Sequence, residues 1–166
     1  MTMLKVSFKD KEKCPAKKVE VFNDKATVVT LTGNIKAPEW WWKIPRNIYK
    51  WMANHPSVEV YDNLLGNVTV KAVGKSVCSD EDSFAPVFGE RIAEARAKIK
   101  LYRFMYTLTN KIIAYNKKVL YGNFEVATRI TKYNEHPLQC LYMDAIKYNK
   151  LLTAEKEHLN NLLAMS

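Results

Sequence analysis

The segment from Val68 to Lys118 constrains this chain most, because it leaves room for one order of elements: a strand, a tight acidic turn and a long helix. Residues Val68 to Cys78 carry Val68, Thr69, Val70, Val73 and Val77, β-branched types that suit a pleated strand. Ser79-Asp80-Glu81-Asp82-Ser83 forms the turn. The helix opens at about Phe84 or Pro86 and runs past Lys111 without a breaker. Asp80, Asp82 and Ser83 offer oxygens to the free N–H groups of its first turn and suit the positive end of its dipole. Pro86 is tolerated only in that first turn. Gly89 costs roughly 1 kcal/mol relative to Ala inside a helix, so close packing against a strand is its expected reason.

The helix has two apolar faces. Phe88, Ala95, Ile99, Tyr102 and Tyr106 form one; Leu101, Met105, Leu108, Ile112, Tyr115 and Val119 form the other. One can cover a sheet. The second must meet the C-terminal helix, another subunit, or both. Arg96, Lys100, Arg103 and Lys111 make a basic stripe between the faces. The helical cations, with Arg91, Lys98, Lys117 and Lys118, face only Glu90 and Glu94. Such an imbalance invites an anionic partner.

The rest of the chain completes an α+β plan. Leu4, Val6 and Phe8 alternate as an edge strand. Lys17 to Phe22 and Ala26 to Thr32 form a hairpin across Asn23-Asp24, and Gly33-Asn34 ends or bulges the second strand. Residues 36 to 57 read as a Trp-rich insertion punctuated by Pro38, Pro45 and Pro56. Within it, Arg46 to Asn54 can form a short helix with Ile48, Trp51 and Met52 on one side. Val58 to Tyr61 is a short strand, and 62 to 67 a turn. The first half is thus an antiparallel sheet of four or five strands. Tyr121-Gly122-Asn123 ends the long helix. Phe124 to Tyr133 is ambiguous between helix and strand, with Val126, Thr128, Ile130 and Thr131 favouring strand. His136-Pro137 marks a new start, and Leu138 to Met165 is an amphipathic helix with Leu141, Ala145, Tyr148, Leu152, Leu159 and Leu162 on its apolar side. The length suits one domain, with a sheet in 1–78 and a helical part in 79–166.

Composition narrows the partners. The formal net charge is +9 in 166 residues, which favours nucleotide phosphates, nucleic acid, an anionic surface or an acidic protein. Cys14, Cys78 and Cys140 have no metal or redox spacing, and reduced thiols in the cytosol are the expectation. No signal-peptide core or membrane-length apolar run stands out, so no membrane association is expected. His55, His136 and His158 are scattered and predict no metal site. Asp80-Glu81-Asp82 is explained by capping, and Cys78 by a buried small side chain closing its strand. No Ser-His-Asp order, paired His and Cys or phosphate-cradling Gly loop is recognisable, so no catalysis and no cofactor are expected. Trp40-Trp41-Trp42 cannot all point one way. At least one indole is expected at a surface, as an anchor for the insertion or a platform for a base.

One stretch resembles a known pattern. Gly74-Lys75-Ser76-Val77-Cys78, Asp80, Asp82 and Phe84, then Gly89, Ile92-Ala93 and Ala95-Arg96-Ala97, are similar to a motif of small phage-encoded proteins. There, a strand with Gly, Ala and Cys meets a Pro-x-Asp-x-Phe turn and a helix with Gly and Ala-Arg-Ala. The likeness runs from about Val68 to Lys100. It departs at Ser76, where the pattern has Ala, at Asp80, where it has Pro, and at Ala85, where it has an acid. The plan of sheet plus two C-terminal helices resembles the Thoeris anti-defence sponges, which sequester a cyclic ADP-ribose isomer and in some members cyclic oligonucleotides. The motif also resembles small bacterial double-stranded-RNA-binding-like proteins.

The resemblance implies a non-enzymatic, homo-oligomeric phage protein, cytoplasmic in an infected bacterial host, that captures a small cyclic nucleotide. On that reading Arg96, Lys100 and Arg103 neutralise phosphates. Trp41, Trp42, Phe88 or Tyr106 stack on the base. The alternatives are a nucleic-acid-binding module and a protein-protein inhibitor of a bacterial defence complex that uses the Trp cluster as its hot spot.

Overall fold

A computed structural model describes residues 5–8, 16–23, 25–36, 45–63, 67–78, 85–122 and 124–165. The fold is α+β, with an N-terminal antiparallel sheet followed by helices. In order the elements are β1 (Lys5–Ser7), β2 (Lys17–Phe22), β3 (Ala26–Lys36), α1 (Arg46–Ala53), β4 (Val58–Asn63), β5 (Asn67–Val77), α2 (Pro86–Gly122) and α3 (Phe124–Ala164). Strands β1, β3, β5 and β4 are neighbours in that order, and β2 also pairs with β3. β1 and β2 share one edge of β3 end to end: β1 pairs with 34–36, β2 with 26–31. Trp40-Trp41-Trp42, Cys14 and the acidic turn 79–83 lie outside the described residues.

Alternation along the strands decides which face is covered. Val29, Leu31 and Ile35 of β3 and Val68, Val70 and Ala72 of β5 are buried and point to one side. Leu101, Phe104, Met105 and Leu108 of α2 belong to the same core, with Ile35, Val68 and Val70. Ile48 and Met52 of α1 close it from the insertion, as their spacing predicts. The opposite face of the sheet carries Thr30, Thr69, Lys71 and Lys75 and faces away from the helices.

The sheet-to-helix contact is very close, and small residues permit it. A Cβ on Gly74 would overlap the backbone carbonyl of Ala93 and stand 2.6 Å from the backbone nitrogen of Ala97. Ala93 and Ala97 are fully buried. At Gly89 a Cβ would stand 2.9 Å from Thr27 Oγ1 of β3. That is the strand packing expected for this glycine. Gly74, Gly89, Ala93 and Ala97 are therefore packing residues.

Two expectations need correction. β3 neither ends nor bulges at Gly33-Asn34: Gly33 pairs with Val70 and Asn34 with Thr69 in unbroken register. Gly33 is used instead because the β1 side lies above it, with Val6 Cγ2 at 2.5 Å from where a Cβ would be. The segment Phe124 to Tyr133 is helical, and α3 continues through His136-Pro137 rather than starting there. Strand propensity is a weak preference, worth a fraction of a kcal/mol per residue. A helix satisfies its own backbone groups without a neighbouring strand, and α3 carries Pro137 in its interior although the ring removes one N–H and crowds the preceding turn, at a cost of about 3 kcal/mol.

α3 folds back antiparallel on α2. Leu162 and Leu159 pack with Phe88, Ile92 and Ala95 near the start of α2. Leu141, Ala145 and Tyr148 pack into the main core with Ile112 and Ile113. The second apolar face of α2 is thus covered within the chain, which removes that face as a reason to expect an oligomer. Tyr148 also ties α3 to the sheet, its hydroxyl accepting from the Val6 N–H at 3.2 Å. Burial pushes its phenol up to about 12.

Candidate anion site along the edge of strand β5

β4 is shorter than β5, and this difference shapes the site. The β4–β5 ladder reaches only as far as Val58 opposite Ala72. From Val73 to Val77 the outer edge of β5 has no strand beside it among the described residues. Edge carbonyls left there take donors from side chains or water. α2 supplies them: Lys100 Nζ donates to the Val73 carbonyl at 2.6 Å, and Arg96 Nη1 donates to the Lys75 carbonyl at 2.6 Å. Two of the expected phosphate ligands therefore also serve the strand edge. The spacing of the cations in the sequence is compatible with this role, but the need for it arises only from the unequal strand lengths.

The helical carboxylates are engaged elsewhere. Lys17 of β2 pairs with Glu90 at 2.5 Å and with Glu94 at 2.6 Å, and Lys98 pairs with Glu94 at 2.8 Å. Burial pushes the Glu94 carboxyl up, but hydrogen bonds from Lys17 and Lys98 outweigh it and hold its pKa below the usual value. Hydrogen bonds to Glu90 and Glu94 hold the Lys17 ammonium above its usual value. Among the described residues no carboxylate pairs with Arg96, Lys100 or Arg103. The positive potential of that ridge is not cancelled locally.

The Lys17–Glu94 contact makes a pH prediction. Glu94 has a lowered folded pKa, so its contribution is present above the ordinary carboxylate range and is lost as pH falls through the folded value. Lys17 has a raised folded pKa, so its contribution is present below the ordinary lysine range and is lost as pH rises through the folded value. Lys17→Met should cost about 1 kcal/mol at pH 7, at the upper end for a partly exposed pair, and less at pH 3. Urea unfolding at the two pH values checks this; an equal loss at both would show that Lys17 acts through packing alone.

The other expected site residues separate into groups. Arg103 is exposed, one turn beyond Lys100. Arg96, Lys100 and Arg103 lie on one ridge spanning about 10 Å of helix. Lys111 continues the ridge, but its ammonium lies 5.1 Å from the ring centroid of Trp51. Trp51 stacks on Phe104 at 5.3 Å, and His55 meets both rings edge-on. Phe88 and Tyr106 lie about 80° around the axis from Arg96, and about 27 Å apart along it. They cannot hold one base between them. Phe88 packs under α3, and Tyr106 packs against the main core. Trp41 and Trp42 lie outside the described residues.

Among the described residues, other polar groups form no competing constellation. Among the described residues no cluster of three or more His, Cys, Asp or Glu could hold a metal ion. Cys78 follows β5 half-buried, and its N–H donates to the Lys25 carbonyl at 2.7 Å. Cys140 is buried in α3. No described helix is long and apolar enough to cross a membrane.

In comparisons with protein-family models, curated proteins and solved structures, the chain matches none.

Proposed function

We propose that this chain is a non-enzymatic binding protein that captures a small phosphate-bearing ligand, a cyclic nucleotide in the reading implied by the phage-protein resemblance, at Arg96, Lys100 and Arg103. The observation that carries this reading is the pair of edge contacts. With Nη1 held by Lys75 and Nζ held by Val73, the Arg96 and Lys100 heads sit in place beforehand. A site ordered in advance loses less entropy when a ligand arrives. A guanidinium has five N–H donors, so one bond to a carbonyl leaves donors for phosphate oxygens. Capture of an immune signal requires only tight, reversible binding without hydrolysis. A phage anti-defence role, a cytoplasmic setting and an assembly of several copies are parts of the same proposal.

Arg103→Ala is the cleanest test, because among the described residues Arg103 has no partner on the strand edge. A charge-assisted bond to phosphate is worth about 1.5–3 kcal/mol. Its loss should weaken binding of a cyclic ADP-ribose isomer or cyclic dinucleotide by roughly tenfold or more, with little change in melting temperature. Native mass spectrometry and calorimetry would read both. Unchanged affinity for every nucleotide that binds the parent protein would remove Arg103 from the site.

A second reading has its own observation. Lys111 and Lys118 extend the same ridge to about 33 Å from Arg96, a length that suits an extended polyanion. Nucleic acid would then bind with a steep salt dependence, one counterion released for each phosphate neutralised. A compact nucleotide would show a shallow dependence.

A further inference from the structure

β2 is an edge strand with an unusual arrangement of exposed side chains. It pairs with β3 along all six of its residues, Lys17 opposite Leu31 through Phe22 opposite Ala26. Its other edge has no strand beside it among the described residues. It contains no proline or bulge to blunt that edge. Val19 and Val21 remain 38% and 48% exposed there.

The hydrogen-bond parity of this edge is known. Thr32 N donates to the Ala16 carbonyl at 2.9 Å, in the same register as the rest of the pair. In an antiparallel ladder the bonded pairs alternate. Ala16, Lys18, Glu20 and Phe22 therefore turn their N–H and C=O toward β3. Lys17, Val19 and Val21 turn theirs outward. A second strand can bond only to those three residues.

We propose that this edge joins a second copy of the chain, β2 to β2 antiparallel, about a two-fold axis through Val19. Charge selects this register. With Val19 opposite its symmetry mate, Lys18 of each copy stands opposite Glu20 of the other, on the open face of the sheet. Lys17 then stands opposite Val21, on the face shared with the helices, where its ammonium is already neutralised by Glu90 and Glu94. The two nearest registers that keep the bonding parity fail. One places Lys18 opposite Lys18, the other Glu20 opposite Glu20, and like charges directly opposite destabilise a pair. In the single chain Lys18 and Glu20 reach along the same strand to each other at 2.7 Å, both exposed, so both heads already sit on the face where the second copy would place their partners. The exposed Val19 side chains meet across the axis. The far edge of the sheet, β4, lacks this self-complementarity, because its only charged residues are Glu59 and Asp62. This interface does not depend on the ligand reading.

The test uses the full chain and charge reversal. Sedimentation across a concentration series should show a monomer–dimer equilibrium. Lys18→Glu and Glu20→Lys, made singly, should each weaken the dimer by roughly tenfold or more, because each places like charges opposite twice. The double swap K18E/E20K should restore it. These residues are exposed, so all three variants should keep the parent circular dichroism spectrum. Amide exchange gives an independent reading: the Val19 and Val21 N–H groups should be protected only as concentration rises, while those of Lys18 and Glu20 are protected throughout. A monomer at every concentration would overturn the proposal. So would a dimer indifferent to the single reversals, which would use another surface.

Discussion

Gly74→Ala is expected to destabilise the fold by about 3 kcal/mol, the upper end of ordinary overpacking. The added methyl has no space, because it would overlap the backbone carbonyl of Ala93 in α2. Backbone atoms in the middle of a helix cannot turn aside as a side chain does. The whole helix must lift from β5, which also draws Arg96 and Lys100 away from the Lys75 and Val73 carbonyls. Two other glycines supply controls. At Gly33 the nearest atom is a methyl of Val6 at 2.5 Å. That side chain can shift, so Gly33→Ala should cost about 1 kcal/mol. At Gly89 the obstacle is Thr27 Oγ1 at 2.9 Å. There the gain in helix propensity, about 1 kcal/mol, offsets the crowding, and Gly89→Ala should be near neutral. Urea denaturation of the three variants should give that order. A Gly74→Ala protein as stable as the parent would mean that α2 does not approach β5 so closely.

Local patterning made most of the architecture legible. β2 covers Lys17 to Phe22, the first strand of the expected hairpin, and α1 buries Ile48 and Met52 as their spacing implies. α2 ends at Gly122, where the Tyr-Gly-Asn stop was expected. These are short-range signals, and each is contained in a few adjacent residues. The unbroken course of β3 through Gly33 was not legible, because the reason for that glycine lies in β1, far away in sequence. The helical state of Phe124 to Tyr133 was hidden for a related reason. β-branched residues lean toward strand, but that lean is weak, and the state is decided by the long helix α3 that the segment joins, well beyond its own residues.

The candidate site was legible only in part. The spacing of Arg96, Lys100 and Arg103 places them on one ridge of a helix. It does not show that the edge of β5 runs on past the β4 pairing, so that two of the three cations meet carbonyls. Nor does it show that Lys17, from the opposite edge of the sheet, engages Glu90 and Glu94. That contact strengthens the ridge as an anion site, because the nearest acids are drawn to another partner. Phe88 and Tyr106 matched a stacking role by residue type alone. Helical rise places them too far apart for one base, and burial explains both more simply.

Phe104→Ala is expected to cost about 3–5 kcal/mol and to flatten the acid limb of the stability curve. Phe104 is fully buried, and both Trp51 and His55 rest on it. Burial lowers the pKa of His55 from its usual value. The unfolded chain therefore takes up this proton first as pH falls. The stability that neutral His55 confers is present above its ordinary pKa near 6.5 and is lost as pH falls toward the folded value. The parent protein should thus be less stable at pH 5.5 than at pH 7.5, and His55→Gln should lack this part of the loss. Removing the Phe104 ring lets water reach the imidazole and brings its folded pKa back toward the ordinary one. Phe104→Ala should then lose less between the two pH values than the parent, on top of its large uniform loss. Phe104→Leu keeps most of the volume, so it should cost less and retain more of the slope. Urea unfolding of all four proteins at both pH values separates the packing loss from the proton linkage. If Phe104→Ala kept the full parental slope, the proton-linked group would lie elsewhere, and Phe104 would serve the core without controlling His55.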